Sequence, residues 1–552
     1  MRLTLLAGAS FCGSLALIPP LAHAQTPPAA APVAAPVPAA ADCSKNPDPY
    51  KNYECLDTYL GTNPFERLFN YYRLEWGESG PPADPNAPPG RRANWDPAPQ
   101  TTPPMPFTDW PYGGTTALGG NRTGSVDSPL MMSIANTAVG KWMQDTGIQI
   151  YGWVDPGFNI SSNTHRKLGN APVSYAAYPN TVQLDQAVIY IERTPDTVQT
   201  DHVDWGFRFS AIYGENYRYT TSYGIASYQL LKNNQQNGYD FPMMYGELFI
   251  PQVAEGLMLR AGRYISLPDI EAQLAPNNYM YTHSLTYGFD NYTNEGVLAS
   301  LAVTPHIMLQ FGISDGTEAA VTNVGQTIVN PAPGPQNLLN PGTRLQKDPG
   351  ATIPTFTACA RIEWNHGNDN FYPCMNGING GQWGYNNLQW YGTTYYHKFN
   401  DHWHISTEAY WEGENGVPNL NNPAIVSGLA NGTITTPFSQ FTANAPNMAH
   451  CSSTTAIRCN TYAMGAVAYI NYSPEPRDNF SLRPEIYYDP QGQRTGTPAT
   501  YWEVSLGWQH WYSPQIEVRP EIGYYQSNGA KAFNAGTRNY TLIGASDLIF
   551  HF

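Results

Sequence analysis

Charge is scarce in this chain. Asp, Glu, Lys and Arg make up 13% of its 552 residues, where an ordinary globular chain carries about 25%. The net charge is −15, which argues against a nucleic-acid partner, since a phosphate backbone calls for a basic surface. Long apolar runs are also missing. Past Gln25 no window approaches the ~20 consecutive apolar residues of a membrane helix, which excludes a helical bundle in lipid. The mean hydropathy of −0.41 resembles that of a soluble protein, yet strands that alternate apolar and polar residues average to such values even when one face meets lipid. No His-Glu-x-x-His, Gly-rich phosphate loop, Gly-x-Ser-x-Gly or Cys-x-x-Cys occurs, so the sequence implies no cofactor and disfavours an enzyme.

Aromatic residues, by contrast, reach 13%, with 38 Tyr and 14 Trp. These side chains suit a membrane–water interface, where a ring meets lipid and its polar end stays wet. Arg2, the apolar stretch Leu3 to Leu21 and the small-x-small site Ala22-His23-Ala24 read as a secretory leader over 1–24, cleaved before Gln25. Gly8, Gly13, Pro19 and Pro20 interrupt the stretch and oppose its retention as a helix. Residues 25–42, nearly all Ala, Pro and Val, form an extended spacer. Residues 43–145 are rich in Pro, Trp and Tyr and read as a periplasmic segment or one tucked into a barrel mouth. Within them Phe65, Leu68, Phe69 and Tyr72 recur at helical spacing over Phe65 to Trp76.

From Thr146 onward strand-length segments alternate with period two. Their centres fall near Ile150, Ile189, Phe209, Glu247, Leu259, Ser300, Leu309, Ala360, Tyr372, Trp390, Glu408, Val467, Glu485, Ser505, Pro520 and Leu548. That gives about sixteen strands over 146–552, an even number, as in bacterial single-chain barrels. The short connections (Pro251 to Glu255, Thr304 to Pro305, His366 to Gly367, Asn400 to Asp401, Ser513 to Pro514) then share one side. The long ones (Leu267 to Asn294, Ala319 to Pro354, Asn415 to Asn460) share the other. The fold class is therefore all-β, a transmembrane antiparallel up-and-down barrel with short periplasmic turns and long outer loops.

Two faces follow from the alternation. Trp502, Val504, Leu506 and Trp508 oppose Glu503, Ser505, Gly507 and Gln509; Trp403, Ile405, Ala409 and Trp411 oppose His404, Ser406, Glu408, Tyr410 and Glu412; Phe356, Ala358, Ala360, Ile362 and Trp364 oppose Thr357, Arg361 and Glu363. A soluble sandwich alternates as well. The closing face of Leu548, Phe550 and Phe552, with its aromatic terminus, resembles the signal read by barrel-assembly machinery and so favours an outer membrane. Arg483/Glu485 and Arg519/Glu521 place a cation and an anion on one lumen face, as Arg361/Glu363 do; they read as ion-pair ladders or as charges that set ion preference at a constriction. Pro484 and Pro520 fit a fully paired strand poorly and call for local bulges.

The chain has seven cysteines. Cys12 leaves with the leader, and the rest form local pairs: Cys43 with Cys55, Cys359 with Cys374, and Cys451 with Cys459. In an exported chain disulfides are favoured over metal ligation. The bond between Cys43 and Cys55 would cross-link the periplasmic segment. A hairpin turning at His366 and Gly367 sets Cys359 opposite Cys374 on the lumen side, and Cys451 with Cys459 would pin an outer loop. His402 with His404 is read as lumen or turn residues rather than a metal pair. Asn368-Asp369-Asn370 is read as turn chemistry, and the Ser406, His404 and Glu408 group shows no positioned nucleophile.

The stretch Ala261-Gly262-Arg263-Tyr264, Ala275-Pro276-Asn277-Asn278, Tyr281, Ser284 and Asn294-Glu295-Gly296-Val297 resembles a block of the β-barrel porin family of the OmpL-like type. Leu184-Asp185-Gln186-Ala187, Tyr151-Gly152-Trp153 and Trp110-Pro111-Tyr112-Gly113-Gly114 are similar to it too. The resemblance implies an outer-membrane pore for small hydrophilic solutes, with a loop from Leu267 to Asn294 that folds inward. Asp269, Glu271 and Asp290 would give that loop an acidic rim, and Arg208, Arg260, Arg361, Glu363, Glu408, Arg483, Glu485, Glu503, Arg519 and Glu521 would line the pore. The acidic balance favours weak cation preference or none. The expected partners are outer-membrane lipid, the assembly machinery, the solutes and a possible homo-oligomer. Two other readings stand beside it, a barrel that anchors long loops for a carbohydrate or host partner, and a secreted soluble β enzyme.

Overall fold

The computed structural model describes residues 56–77, 128–318, 354–431 and 448–552, apart from 223–225, 232, 234, 266, 268, 384–386, 476–477 and 514. The leader, the spacer, Trp110 to Gly114 and all but Pro354 of the loop from Ala319 to Pro354 lie outside the described residues.

Alternating segments become strands here because each buries one face and leaves the other outward. The first nine are β1 (Ile148–Ser161), β2 (Val182–Arg193), β3 (Asp204–Gly214), β4 (Gly238–Asp240), β5 (Met244–Ile250), β6 (Leu257–Ile265), β7 (Thr293–Thr304), β8 (Ile307–Thr317) and β9 (Thr355–Trp364). The rest are β10 (Asp369–Ile378), β11 (Gln389–Lys398), β12 (Trp403–Pro418), β13 (Arg458–Glu475), β14 (Asp478–Asp489), β15 (Ala499–Ser513), β16 (Ile516–Val518), β17 (Glu521–Asn528) and β18 (Tyr540–His551). Each pairs antiparallel with its neighbours, and β18 pairs with β1, so the sheet closes on itself without an edge.

Two crossings are broken. Both β4 and β5 pair with β3, and both β16 and β17 pair with β15 and β18, so the eighteen segments make a 16-strand barrel. Every strand centre read from the sequence falls on one of these crossings. Pro520 sits in the second break, where its missing N–H costs no ladder bond. Pro484 stays within β14; its partners on β13 skip from Val467↔Glu485 to Ile470↔Leu482, so the gap lies on the side where Pro484 cannot donate.

Outward side chains are apolar and exposed: Trp502 48%, Val504 52%, Leu506 56% and Trp508 38% on β15, with their neighbours Glu503, Ser505 and Gln509 buried inside. Phe550 also faces outward. Such a band fits hydrocarbon and not water. Leu506→Arg, at the middle of β15, is expected to cost about 2–4 kcal/mol of folding free energy in vesicles, the toll for a cation at mid-membrane. Urea-dependent folding into liposomes measures it.

Cys359 and Cys374 face each other across β9 and β10 and are disulfide-bonded, Cα to Cα 4.2 Å, on the inward side. Cys451–Cys459 ties the outer loop that precedes β13 to the start of that strand. The third expected pair, Cys43 with Cys55, lies outside the described residues.

At the short-turn end, helices α1 (Leu56–Leu60), α2 (Pro64–Gly77), α3 (Pro129–Ile134) and α4 (Ala138–Thr146) pack by the start of β1. Tyr72 donates its hydroxyl to the His551 carbonyl, and Ser128 to that of Ile150 (3.0 Å). The helix expected over Phe65 to Trp76 is present, but its buried face differs. Phe65 and Phe69 are 84% and 69% exposed, and Arg67 and Tyr71 are buried instead. The reason is polar: Arg67 satisfies the carbonyls of Gly61 (2.8 Å) and Met132 (2.9 Å), which ties α2 to its neighbours through a face that a hydrophobic period does not reveal.

Candidate functional site: the lumen and its inward loop

Between β6 and β7 the chain turns into the barrel. The described residues of 267–292 cross the lumen and rest on the opposite wall, where inward carboxylates receive the loop's donors. The Ile270 N–H donates to Glu408 on β12 (2.9 Å), that of Leu285 to Glu485 on β14 (2.9 Å), and that of Thr282 to Glu521 on β17 (3.0 Å). The Tyr281 hydroxyl donates to Asp185 on β2 (2.9 Å). Arginines serve the loop's carbonyls in turn: Arg519 donates to Asn278 (3.0 Å) and Arg483 to Thr282. Irregular backbone inside a barrel needs every polar group answered, and the charged faces of the wall strands answer them.

Glycines make the room. A Cβ at Gly465 on β13 would stand 2.8 Å from the Thr286 side chain, and one at Gly507 on β15 would stand 2.7 Å from Met280. Glycine inside a strand marks a close approach, which is the one sequence signal that could have located this contact.

Arg483 is the hub of the far wall. Fully buried, it reaches Glu503 (2.6 Å) and Glu271 of the loop (3.5 Å), and it donates to the hydroxyls of Tyr469 (3.0 Å) and Tyr525 (3.2 Å). Arg519 pairs with Asp547 on β18. Elsewhere the wall holds cross-strand and same-strand pairs: Arg208–Glu192 (2.5 Å), Arg260–Glu247 (2.7 Å) and Arg361–Glu363 (2.7 Å). The packing is uneven around the barrel. Arg260, Glu247 and Glu363 keep 12%, 11% and 10% of their side-chain surface open, whereas Arg483 and Glu503 keep none. The loop therefore fills the side of β12 to β18 and leaves the wall of β5, β6 and β9 wetter.

The acidic rim expected at Asp269, Glu271 and Asp290 is not formed. These residues are 7%, 5% and 0% exposed, because the loop folds down over its own carboxylates: Ser284 donates its N–H to Glu271 (3.0 Å) and Tyr469 its hydroxyl (2.6 Å). Burial pushes the Glu271 carboxyl up, against the pull of Arg483. Burial, with the Asp269 carboxylate beside it, holds the Asp290 carboxyl well above the usual range. Asp269, Asp290 and Glu408 offer carboxylate oxygens that all lie within 4.8 Å of one another, a cluster that no local motif shows because it joins two loop positions to a strand far along the chain. The two histidines do not converge. His404 meets the Tyr279 hydroxyl (2.9 Å) and His402 the Ser473 carbonyl (2.8 Å). Asp369 of the turn segment accepts from Tyr395 (2.7 Å) and contacts His397 (2.6 Å).

At the outer mouth a cavity of ≈ 470 Å³ opens between loops, with Lys167, Arg218, Tyr219, Phe289, Arg494 and Thr495 among its lining. Two of these cations are partnered from behind, Arg494 by Glu412 (3.3 Å) and Arg218 by Glu215 (4.0 Å).

Solved structures with a similar outline include the outer membrane channel DcaP of Acinetobacter baumannii, 8% identical with TM-score 0.41, covering 73% of this chain and 97% of that one. An anion-selective porin from Comamonas acidovorans is 10% identical with TM-score 0.43, covering 73% and 99%. OmpF of Salmonella typhi, in complex with daunomycin, is 10% identical with TM-score 0.42, covering 74% and 99%. No curated protein sequence matches the chain. The family described as "Putative beta-barrel porin-2, OmpL-like" matches residues 147–552, from the last residue before β1 to the end of the barrel. By that match this chain belongs to the OmpL-like β-barrel porins.

Proposed function

We propose that the chain is a passive outer-membrane pore for small hydrophilic solutes, weakly cation-preferring or indifferent to charge, exported by its leader. The observation that carries this reading is the uneven lumen, in which a loop braced on one wall leaves charged side chains of the other in contact with water. The barrel size agrees, since sixteen strands enclose more space than their own side chains fill. Weak selectivity follows from pairing: Glu247 answers Arg260 and Glu363 answers Arg361, so a passing ion meets dipoles and little net charge. Residues 43–145 would then rest at the periplasmic rim, with Cys43 and Cys55 cross-linking their start, and assembly into a homo-oligomer is compatible with the outward face.

Single-channel recording of the refolded chain in a planar bilayer tests the reading. Discrete open steps with a reversal potential near zero or slightly cation-leaning are expected. Removing the anions with Glu247→Gln and Glu363→Gln should shift reversal toward anions, and Arg260→Met with Arg361→Met should shift it the other way. A folded barrel that never conducts, even without residues 43–109, would leave the second reading. In that reading the barrel anchors its outer loops for a carbohydrate or host partner, and the ≈ 470 Å³ mouth cavity is the observation in its favour.

A further inference from the structure

Several inward carboxylates of this barrel are met by a guanidinium, as Glu503 and Asp547 are, or by paired donors from the loop, as Glu485 and Glu521 are. Where the loop crosses to β12, carboxylates face one another. There the loop brings Asp269 and Asp290 together, and Glu408 projects from the wall toward them, with oxygens of all three within 4.8 Å. Glu408 is 2% exposed and Asp290 fully buried. The Ile270 N–H holds one oxygen of Glu408, which fixes the carboxylate so that the other faces the loop pair. That second oxygen, Oε1, accepts no hydrogen bond among the described residues, and neither does Oδ2 of Asp290. No described arginine or lysine forms an ion pair with Glu408 or Asp290.

We propose that Asp269, Asp290 and Glu408 hold a divalent cation of calcium size, which clamps the inward loop to the barrel wall. Three buried carboxylates that face one another repel when ionised, and each loses its hydration on burial, so either a cation or shared protons must offset their charge, and a cation uses the oxygens that accept no hydrogen bond. Calcium takes six to eight oxygens at about 2.3–2.6 Å, so two of its ligands stand up to about 5 Å apart, in keeping with the separation seen here. Magnesium, with oxygens at about 2.0–2.1 Å in a strict octahedron, spans less and suits the site worse. Three carboxylates supply up to about six oxygens when bidentate, so loop, wall and water together complete a shell. The alternative is a trio that shares protons instead of a metal. It predicts no uptake of calcium at neutral pH.

Uptake is measured without any reference to conduction. The full chain is refolded from denaturant in detergent, stripped with chelator and dialysed against radioactive calcium, with folding checked by the shift in gel mobility on heating. About one calcium per folded chain is expected at millimolar calcium, with magnesium a poor competitor. Glu408→Gln and Asp290→Asn should each lower uptake at least about tenfold at subsaturating calcium, the effect of losing one charged ligand. Asp201→Asn, on an exposed turn, should leave it unchanged. In the wild type, calcium should also raise the unfolding midpoint, because a ligand that binds only the folded chain stabilises it by mass action. Wild-type protein that takes up no stoichiometric calcium would overturn the proposal whether or not the variants fold. Uptake that persists in folded Glu408→Gln and Asp290→Asn would overturn it as well, by placing the ion elsewhere.

Discussion

Filling the space beneath the inward loop should open the channel. Gly465→Val is expected to raise single-channel conductance at least about twofold, since ion flow through a wet lumen follows its narrowest open section. The reasoning is steric. A first carbon at Gly465 already stands 2.8 Å from the Thr286 side chain, and valine adds two methyl groups beyond it. The β13 backbone cannot retreat, because both of its edges are paired to β12 and β14. The loop must therefore yield, and it loses the Thr286 and Leu285 bonds to Glu485 as it does. Gly507→Val, which would meet Met280, should act in the same direction from the neighbouring wall. Overpacking of this kind costs about 1–3 kcal/mol, too little to unfold a closed barrel. A folded Gly465→Val barrel with wild-type conductance would show that the loop does not set the limit.

Arg483→Met should be the most destabilising single change on the lumen face. Methionine fills most of the volume but leaves Glu503 and Glu271 buried without their shared cation, and it removes a donor from the Thr282 carbonyl and from two tyrosine hydroxyls. Breaking a buried pair by removing one partner costs about 3–5 kcal/mol. Urea titration of the barrel in vesicles should show that loss. Pairing it with Glu503→Gln in a double-mutant cycle should recover part of it, because the stranded charge is then gone as well. Equal stability of Arg483→Met and wild type would mean that water reaches Glu503 and Glu271 once the arginine leaves. The same variant should flicker in conductance, as the loop loses a brace near its middle.

The barrel was legible in the sequence because its information is local. Alternation in Tyr501 to Trp511 specifies which side of β15 is wet, and Cys359 with Cys374 specifies register at a turn only a few residues away. Breaks in the strands were less readable. Pro520 signalled one, and Pro242, in the gap between β4 and β5, is the same kind of signal at the other. The site was legible only as a roster of charges. Its pairings join positions more than a hundred residues apart, such as Arg483 with Thr282 and Glu408 with Ile270, and no spacing rule reaches that far. The family resemblance implies an inward loop but not which of its side chains face water, so Asp269, Glu271 and Asp290 read as a rim. Here the loop needs them itself, for Ser284 and for the wall tyrosine Tyr469.

The pairing of β18 with β1 has a further consequence, for the order of events in folding. Trp153 lies beside His551 in the finished sheet, so the first strand has to wait for the last before both its edges are occupied. Until then the chain is a curved ribbon with two open borders, each able to recruit a second ribbon. Bringing those borders together also requires the most distant contact in the barrel, which is slow for entropic reasons. Refolding yield should therefore fall with protein concentration while the rate of closure stays constant, the mark of a race between sealing a seam and joining a neighbour.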